Sequence, residues 1–523
     1  MSAHAHRIWL LVLSIALCAC AMLPERPALV PNYALADVAG SPLAHTFEVS
    51  APADQPGLSG LRLLPEGPAA LNARIALARN ATCSLDVQYY LIAQDRTGFI
   101  FLRELRDAAQ RGVRVRLIVD DLYAAGADEL LAGLAAYPNA EVRIFNPLPS
   151  RDGSFKSRII FSLHEFERIN HRMHNKLFVA DNTFAVSGGR NIANEYFMGS
   201  DEANFVDLDV LSAGPVVRQL STLFDRYWNS EQVYPIERLV ARKSSALDAQ
   251  RRFDEIVRDA PAEIEERPKD VLGASSVRQQ LDAGHMELTW APARAFADTP
   301  TKVAGLKDEE RAHTVTAETL ALFANAHESV AISSPYFIPG PRGIEMMRAF
   351  GATQQNGRII LITNSLGATD EPLVHNSYAR YRLDMLKAGV RIYEMSPTLP
   401  QRSNKLGSFG RSVAMLHAKA AAIDQRIVYI GSMNLDARSS RINTEIGMVI
   451  ESPALAAELK KLSKEDVTSD AYELRLSADG ESIEWVETDD AGRTIVHTEE
   501  PGSSFWLSFK LWLLAPFVSD DLL

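Results

Sequence analysis

Apolar and polar positions along the chain fall into three β-rich runs that recur, in the same order, in each half. The first run is Leu85-Asp86-Val87-Gln88-Tyr89-Tyr90 in one half and Val330-Ala331-Ile332-Ser333-Ser334-Pro335-Tyr336 in the other. Both read as buried strands. A helical pattern follows each, then a second run, Val113 to Asp120 and Arg358 to Asn364, and after another helix a third, Glu141 to Phe145 and Val390 to Glu394. Each third run precedes a strand that carries a histidine. Tyr90 lies 84 residues before His174, and Tyr336 lies 81 before His417. Register held over that distance marks an internal duplication. Strands alternating with helices predict β-α-β units and a largely parallel sheet in each half, so the fold class is α/β.

Outside the repeat the pattern changes. Residues 240–285 are rich in Arg, Glu, Asp and Ala, with little β-branching, and predict one or two solvated connector helices. Past residue 462, Ala471 to Leu476 and Ser482 to Val486 alternate as strands around Asp479-Gly480, a hairpin signal. The apolar, aromatic end, Phe505 to Leu514, reads as a helix packed on the body or as an interfacial segment with Trp near headgroups. Six prolines between Pro24 and Pro56 suit an extended spacer. The division expected is a signal segment over 1–20, an extended linker over 21–60, and a first domain over 61–239. A helical connector (240–300), a second domain (301–462) and a C-terminal hairpin with an amphipathic tail (463–523) complete it.

At 523 residues, 47% apolar and 23% charged, the chain is globular rather than disordered. Its 54 Lys and Arg against 66 Asp and Glu leave a net charge of −12, which argues against binding nucleic acid through overall charge. Three cysteines do not make a disulfide scaffold. Their placement says more: Arg7, the apolar run Ile8 to Leu17 and then Leu17-Cys18-Ala19-Cys20 resemble a bacterial lipobox. Cys20 is the residue expected to carry lipid after cleavage. The apolar run falls short of the ~20 residues that span a bilayer, and no other stretch comes near that length. The expectation is a body tethered to the membrane and facing the periplasm.

The chemistry sits in a duplicated motif. His174-Asn175-Lys176, then Asp181, is followed after six residues by Gly188-Gly189-Arg190-Asn191. His417-Ala418-Lys419, then Asp424, is followed after six by Gly431-Ser432-Met433-Asn434. Residues two apart on a strand share a face, so each imidazole and ammonium can approach one anion together. The Gly pair and the Asn sit where a returning turn brings amide donors to that anion. A lone His-x-Lys carries no weight, but two complete copies 243 residues apart do. Other reaction classes lack their motifs: His164-Glu165 has no second His for H-E-x-x-H, and neither G-x-S-x-G nor G-x-x-x-x-G-K-[ST] occurs. His171 and His174 sit three apart, a ligand spacing on a helix, but the run after His174 reads as strand, so no metal is expected.

This pattern resembles the phospholipase D superfamily, over roughly residues 61–462. The resemblance implies two pseudo-symmetric β-α-β sandwich domains sharing one active site, with no cofactor. It implies His174 as nucleophile and His417 as acid, then base, although the near symmetry leaves their order open. Lys176, Lys419, Asn191 and Asn434 would hold the phosphate oxygens as charge develops. Each histidine needs a carboxylate to fix its tautomer. Glu445, in Asn443-Thr444-Glu445, fits the family pattern, and Asp207 takes the matching place after a longer loop. Asp181 and Asp424 complete the motif and are expected to bond within their turns.

Within the superfamily, Gly431 to Ser439, Asn443-x-Glu445, Asp298-Thr299-Pro300-Thr301-Lys302 and the aromatic tail resemble bacterial cardiolipin synthases of the C type. That resemblance implies a membrane-surface enzyme that transfers a phosphatidyl group to phosphatidylglycerol, with phosphatidylglycerol or phosphatidylethanolamine as donor. A phospholipase D hydrolase, a periplasmic nuclease of the same superfamily and a lipid-binding scaffold are the other readings. Arg151, Lys156, Arg158, Arg168 and Arg172, interleaved with Phe155, Ile159, Ile160, Phe161 and Leu163, suggest either a headgroup-steering patch or a solvated loop.

Overall fold

The structure, a computed structural model, describes residues 22–504 except 152–153, 241–244, 306–312, 354–357, 399–411, 464–470 and 489–492, together with 506, 510, 511 and 513. Cys20, the apolar run before it and most of the aromatic tail lie outside the described residues. Among those described, no helix is long and apolar enough to cross a membrane.

The first half contributes β1 (Ser59–Leu64), β2 (Ser84–Tyr89), β3 (Arg114–Asp120), β4 (Ala140–Phe145) and β5 (Leu177–Ala180). It continues through β6 (Phe184–Gly188), β7 (Ala203–Val206), β8 (Asp209–Ala213), β9 (Val233–Pro235) and β10 (Thr289–Ala291). All but β7 form one sheet in the order β10-β1-β8-β6-β5-β2-β3-β4-β9. The three repeat strands β2, β3 and β4 pair in parallel, and the histidine-bearing β5 returns antiparallel beside β2. The sheet is therefore mixed and mostly antiparallel rather than largely parallel as expected: the β-α-β repeat supplies its parallel centre, and hairpin returns and edge strands add antiparallel neighbours that a strand–helix alternation does not reveal.

The second half repeats this plan. Its strands are β11 (Ala293–Ala297), β12 (Ser329–Ser333), β13 (Arg358–Asn364), β14 (Arg391–Met395), β15 (Val413–Leu416) and β16 (Ala420–Ile423). β17 (Ile427–Gly431), β18 (Ile446–Glu451), β19 (Ala471–Leu476), β20 (Ile483–Thr488) and β21 (Thr494–His497) follow. The sheet runs β11-β18-β17-β16-β12-β13-β14-β19-β20-β21, so the last three strands extend its edge.

Strands β5 and β16 are buried along their whole length, which is why their sequences, Leu-Phe-Val-Ala and Ala-Ala-Ala-Ile, carry no polar alternation. One apolar cluster links the domains, running from Leu63, Val210 and Phe224 to Ile430, Met448 and Leu455. A hydrophobic joint of this kind holds the two halves in fixed relation.

Two expectations change. The connector over 240–300 does contain helices, Ala246–Val257 and Val277–Asp282. It also supplies β10 to the first sheet and β11 to the second, separated only by Pro292. Short runs such as Thr289–Ala291 pair at sheet edges and carry too few residues to show a strand period. Within the spacer, Pro42–Ser50 is helical: Ser41 caps it through the Ala44 N–H, Pro42 suits a first helical turn, and Leu43 packs in the core of the first domain.

Candidate active site

Two short parallel pairings across the domain boundary build the site. β7 pairs with β15, ending at Leu416 opposite Val206, and the His417 N–H donates to the Val206 carbonyl at 2.7 Å. A bridge joins Met173 to Thr444, and the His174 N–H donates to the Thr444 carbonyl at 2.8 Å. The next residue on each side is then fixed as a neighbour: Asp207 beside His417, and Glu445 beside His174.

The imidazoles are consequently partnered across the halves. His174 Nδ1 lies 2.9 Å from Glu445 Oε2, and His417 Nδ1 lies 2.7 Å from Asp207 Oδ2. All four side chains are buried, as are Lys176 and Lys419. Burial first, aided by the charges of Lys176 and Lys419 and opposed by Glu445, brings the His174 imidazole down to about 4. Burial and then Lys419 lower His417 as well, against the pull of Asp207. Burial presses Asp207 upward, but His417 and Lys419 outweigh it and hold the carboxyl at about 2; Glu445 is lowered in the same way by His174, Lys176 and Ser432. Each pair at neutral pH is thus a carboxylate accepting from a neutral imidazole. The ring proton sits on Nδ1, and Nε2 keeps a lone pair.

Lys176 Nζ donates to the His174 carbonyl at 2.7 Å and Lys419 Nζ to the His417 carbonyl at 2.5 Å. Burial lowers both ammonium groups, Lys419 to about 8. The asparagines also lie buried. Asn191 Nδ2 donates to the Tyr196 hydroxyl, and the side-chain oxygens of Asn191 and Asn434 are buried without a hydrogen-bond partner. Tyr90 meets the His174 ring edge-on at 5.1 Å, while Tyr196 and Phe205 pack against His417 at 5.0 and 4.8 Å. Sequence reading passed over Tyr196 and Phe205, whose only local signal is aromatic character near a motif.

Asp181 and Asp424 are not brought into the site. Each sits at positive φ, with its successor, in a tight hairpin turn at the far end of β5 or β16. Nor does either carboxylate close its own turn: Asp181 accepts from the N–H groups of Thr82, Cys83 and Ser84, and Asp424 from those of His327, Glu328 and Ser329. They secure the starts of β2 and β12. The glycines also serve differently from expectation. A Cβ on Gly189 would lie 2.1 Å from Asp207 Oδ1, and one on Gly431 would lie 2.5 Å from the Ile446 carbonyl, so the missing side chains leave room for the carboxylate-bearing segments.

The Asp298 to Lys302 segment supports Glu445 from behind. Asp298 Oδ2 accepts the Glu445 N–H at 2.9 Å and the Lys302 ammonium at 2.8 Å, and Lys302 also donates to the Ser439 carbonyl. Lys302→Ala leaves Asp298 buried without its cation. The expected loss is about 3–5 kcal/mol of stability, read as a fall in the urea midpoint at unchanged slope.

Asp120 lies on the other flank, accepting from the Met173 N–H and pairing with Arg172 at 3.1 Å. His171 Nδ1 lies 2.9 Å from the Val303 carbonyl. The arginines of the basic cluster are paired, Arg151 and Arg158 with Asp121, Arg172 with Asp120 and Arg168 with Glu165, while Lys156 is exposed. Arg151, Arg158 and Arg172 hold the loop against the buried Asp120 and Asp121.

Two copies of one mixed-sheet domain, meeting at paired His-x-Lys strands, define a phospholipase D-type protein with a composite site. The family described as cardiolipin synthase, PLD-like domain, matches residues 75–228 and 319–467, and the chain belongs to it. It is 37% identical to cardiolipin synthase C of Escherichia coli K12 over 86% of this chain and 93% of that protein. Similarity to a Staphylococcus aureus cardiolipin synthase is 24% over 78% of this chain and 67% of that one. Among solved structures, a phosphatidylserine synthase from Haemophilus influenzae superposes with a TM-score of 0.55 at 15% identity, covering 90% of this chain and 95% of that one, and so shares the fold.

Proposed function

We propose that the chain is a phosphatidyltransferase that makes cardiolipin through a covalent phosphohistidine, with phosphatidylglycerol as acceptor. The observation that carries this reading is the pair of buried neutral imidazoles, each held by the other domain's carboxylate. His174 Nε2 attacks the donor phosphorus, the bond to the headgroup oxygen breaks, and His417 gives that oxygen a proton. An incoming phosphodiester is an anion, and its charge beside His417 draws the imidazole back toward the protonated form. The acceptor glycerol hydroxyl then attacks phosphorus, His417 takes its proton, and His174 leaves. Lys176 and Lys419 balance the charge on the nonbridging oxygens; Asn191 and Asn434 join them if their amide groups turn toward the phosphate. The imidazole of His174, brought down to about 4, suits the role of nucleophile.

Incubation of the full chain with headgroup-labelled phosphatidylglycerol, alone and with phosphatidylethanolamine, followed by lipid mass spectrometry, tests the proposal. Cardiolipin is expected, and the labelled alcohol released identifies the donor. Phosphatidic acid without cardiolipin would instead define a hydrolase. The same reading takes Cys20 as the lipidated residue and the periplasmic side of the envelope as the workplace, which an intact-mass measurement of the mature chain checks.

The rate should trace a bell against pH. It rises as pH climbs through about 4, where His174 loses its proton and becomes nucleophilic, then falls as His417 in the lipid complex loses the proton it gives the leaving oxygen, with a further fall above about 8, where Lys419 loses its charge. Initial rates from pH 3 to 10 on a short-chain substrate check both limbs; a single limb near 6.5 would contradict the assignment.

A further inference from the structure

Residues 155–169 run as short helical pieces just ahead of His174 and present several large apolar side chains to the outside. Phe155, Ile160, Phe161, Leu163 and Phe166 are 40–61% exposed, while Arg158 is buried on Asp121. Arg158 is the charge that turns in; Lys156, His164 and Glu167 are exposed among these apolar side chains. This face also continues into the site. The Phe155 ring stacks on Tyr123 at 5.6 Å, Tyr123 meets Tyr90 at 5.4 Å, and Tyr90 meets His174 at 5.1 Å. A line of aromatic rings therefore leads from an exposed apolar surface to the buried imidazole.

We propose that the face from Phe155 to Phe166 is a membrane-docking surface that rests in the bilayer interface and passes phospholipid to His174. The inference rests on the phosphatidyltransferase reading, because a diacyl lipid must bring its phosphate to a buried ring while its chains stay out of water. An exposed apolar face bordering the entrance meets that need: its side chains enter the acyl boundary, and Lys156, exposed beside them, suits an anionic leaflet. A second copy of the chain is the competing occupant, and the continuity of the face with the aromatic line favours lipid.

The test compares the full chain with a variant carrying Ile160→Ser, Phe161→Ser and Phe166→Ser, on phosphatidylglycerol in vesicles and on short-chain phosphatidylglycerol below its micellar concentration. Turnover of vesicles is expected to fall about tenfold or more, with turnover of the dispersed substrate within about twofold of the parent. Equal rates on vesicles, or equal losses on both substrates, overturn the proposal. Independently of turnover, Phe161→Trp in vesicles with brominated acyl chains should show quenching beyond that of the parent, and its absence also overturns it. A parent dimer that the triple variant dissolves, with vesicle turnover intact, assigns the face to a second copy instead. A parent that turns over neither form of lipid removes the phosphatidyltransferase reading itself, a result the tryptophan signal distinguishes from failure of docking.

Discussion

His174→Ala is expected to lower kcat by roughly 10⁴-fold or more at little change in KM, because the motif's other imidazole, His417, is committed to proton transfer and the neutral amide oxygens of Asn191 and Asn434 are poor nucleophiles. His417→Ala should cost as much on natural lipids, whose alkoxide leaving groups need a proton. The two variants separate on an activated phosphodiester such as a nitrophenyl ester. That leaving group departs without an acid, so His417→Ala should still release one burst of nitrophenolate per site and stall as the phosphohistidine, visible as a mass increase on the chain. His174→Ala should give neither burst nor adduct. The reverse pattern would exchange the two roles.

The second large effect follows from the crossed partners. Glu445→Gln and Asp207→Asn remove the charges that keep Nδ1 protonated, and each is expected to lower kcat about 10²- to 10⁴-fold through the wrong tautomer and loss of imidazolium stabilisation. Both groups are buried, so water gives no substitute. The activated substrate again tells them apart. Glu445→Gln should suppress the burst, since it acts on His174, and Asp207→Asn should leave it intact, since it acts on His417. Partnering within each half predicts the opposite outcome, which makes the burst a direct measure of the crossing.

That crossing marks where reading the chain stops being local. The β-α-β order, the duplicated motif and the six buried groups at its centre were legible because a buried strand needs an apolar run and a strand period puts His174 with Lys176. Glu445 and Asp207 were legible as partners in kind, but the histidine each serves depends on which edges meet between domains, and Val206 opposite Leu416 is a contact between residues 210 apart. Asp181 shows a second limit. Its spacing in the motif looks chemical, yet positive φ in a hairpin turn aims its carboxylate at the N–H groups of 82–84. The arginines before His174 show a third, for a sequence lists charges and leaves out the buried Asp121 that consumes two of them.

The pairing of Met173 with Thr444 and of Leu416 with Val206 also bears on how the chain can safely be made. During synthesis the first half emerges with His174 in place but with its carboxylate still unmade, more than two hundred residues away. A fragment released at that stage, or a clipped chain that has lost one half, holds an imidazole with no fixed tautomer and no opposite acid. On the phosphatidyltransferase reading, the chemistry would become available only when the second domain docks. On that reading, the joint between the halves would act as a checkpoint, leaving the imidazoles unpartnered in any chain whose two halves have not met.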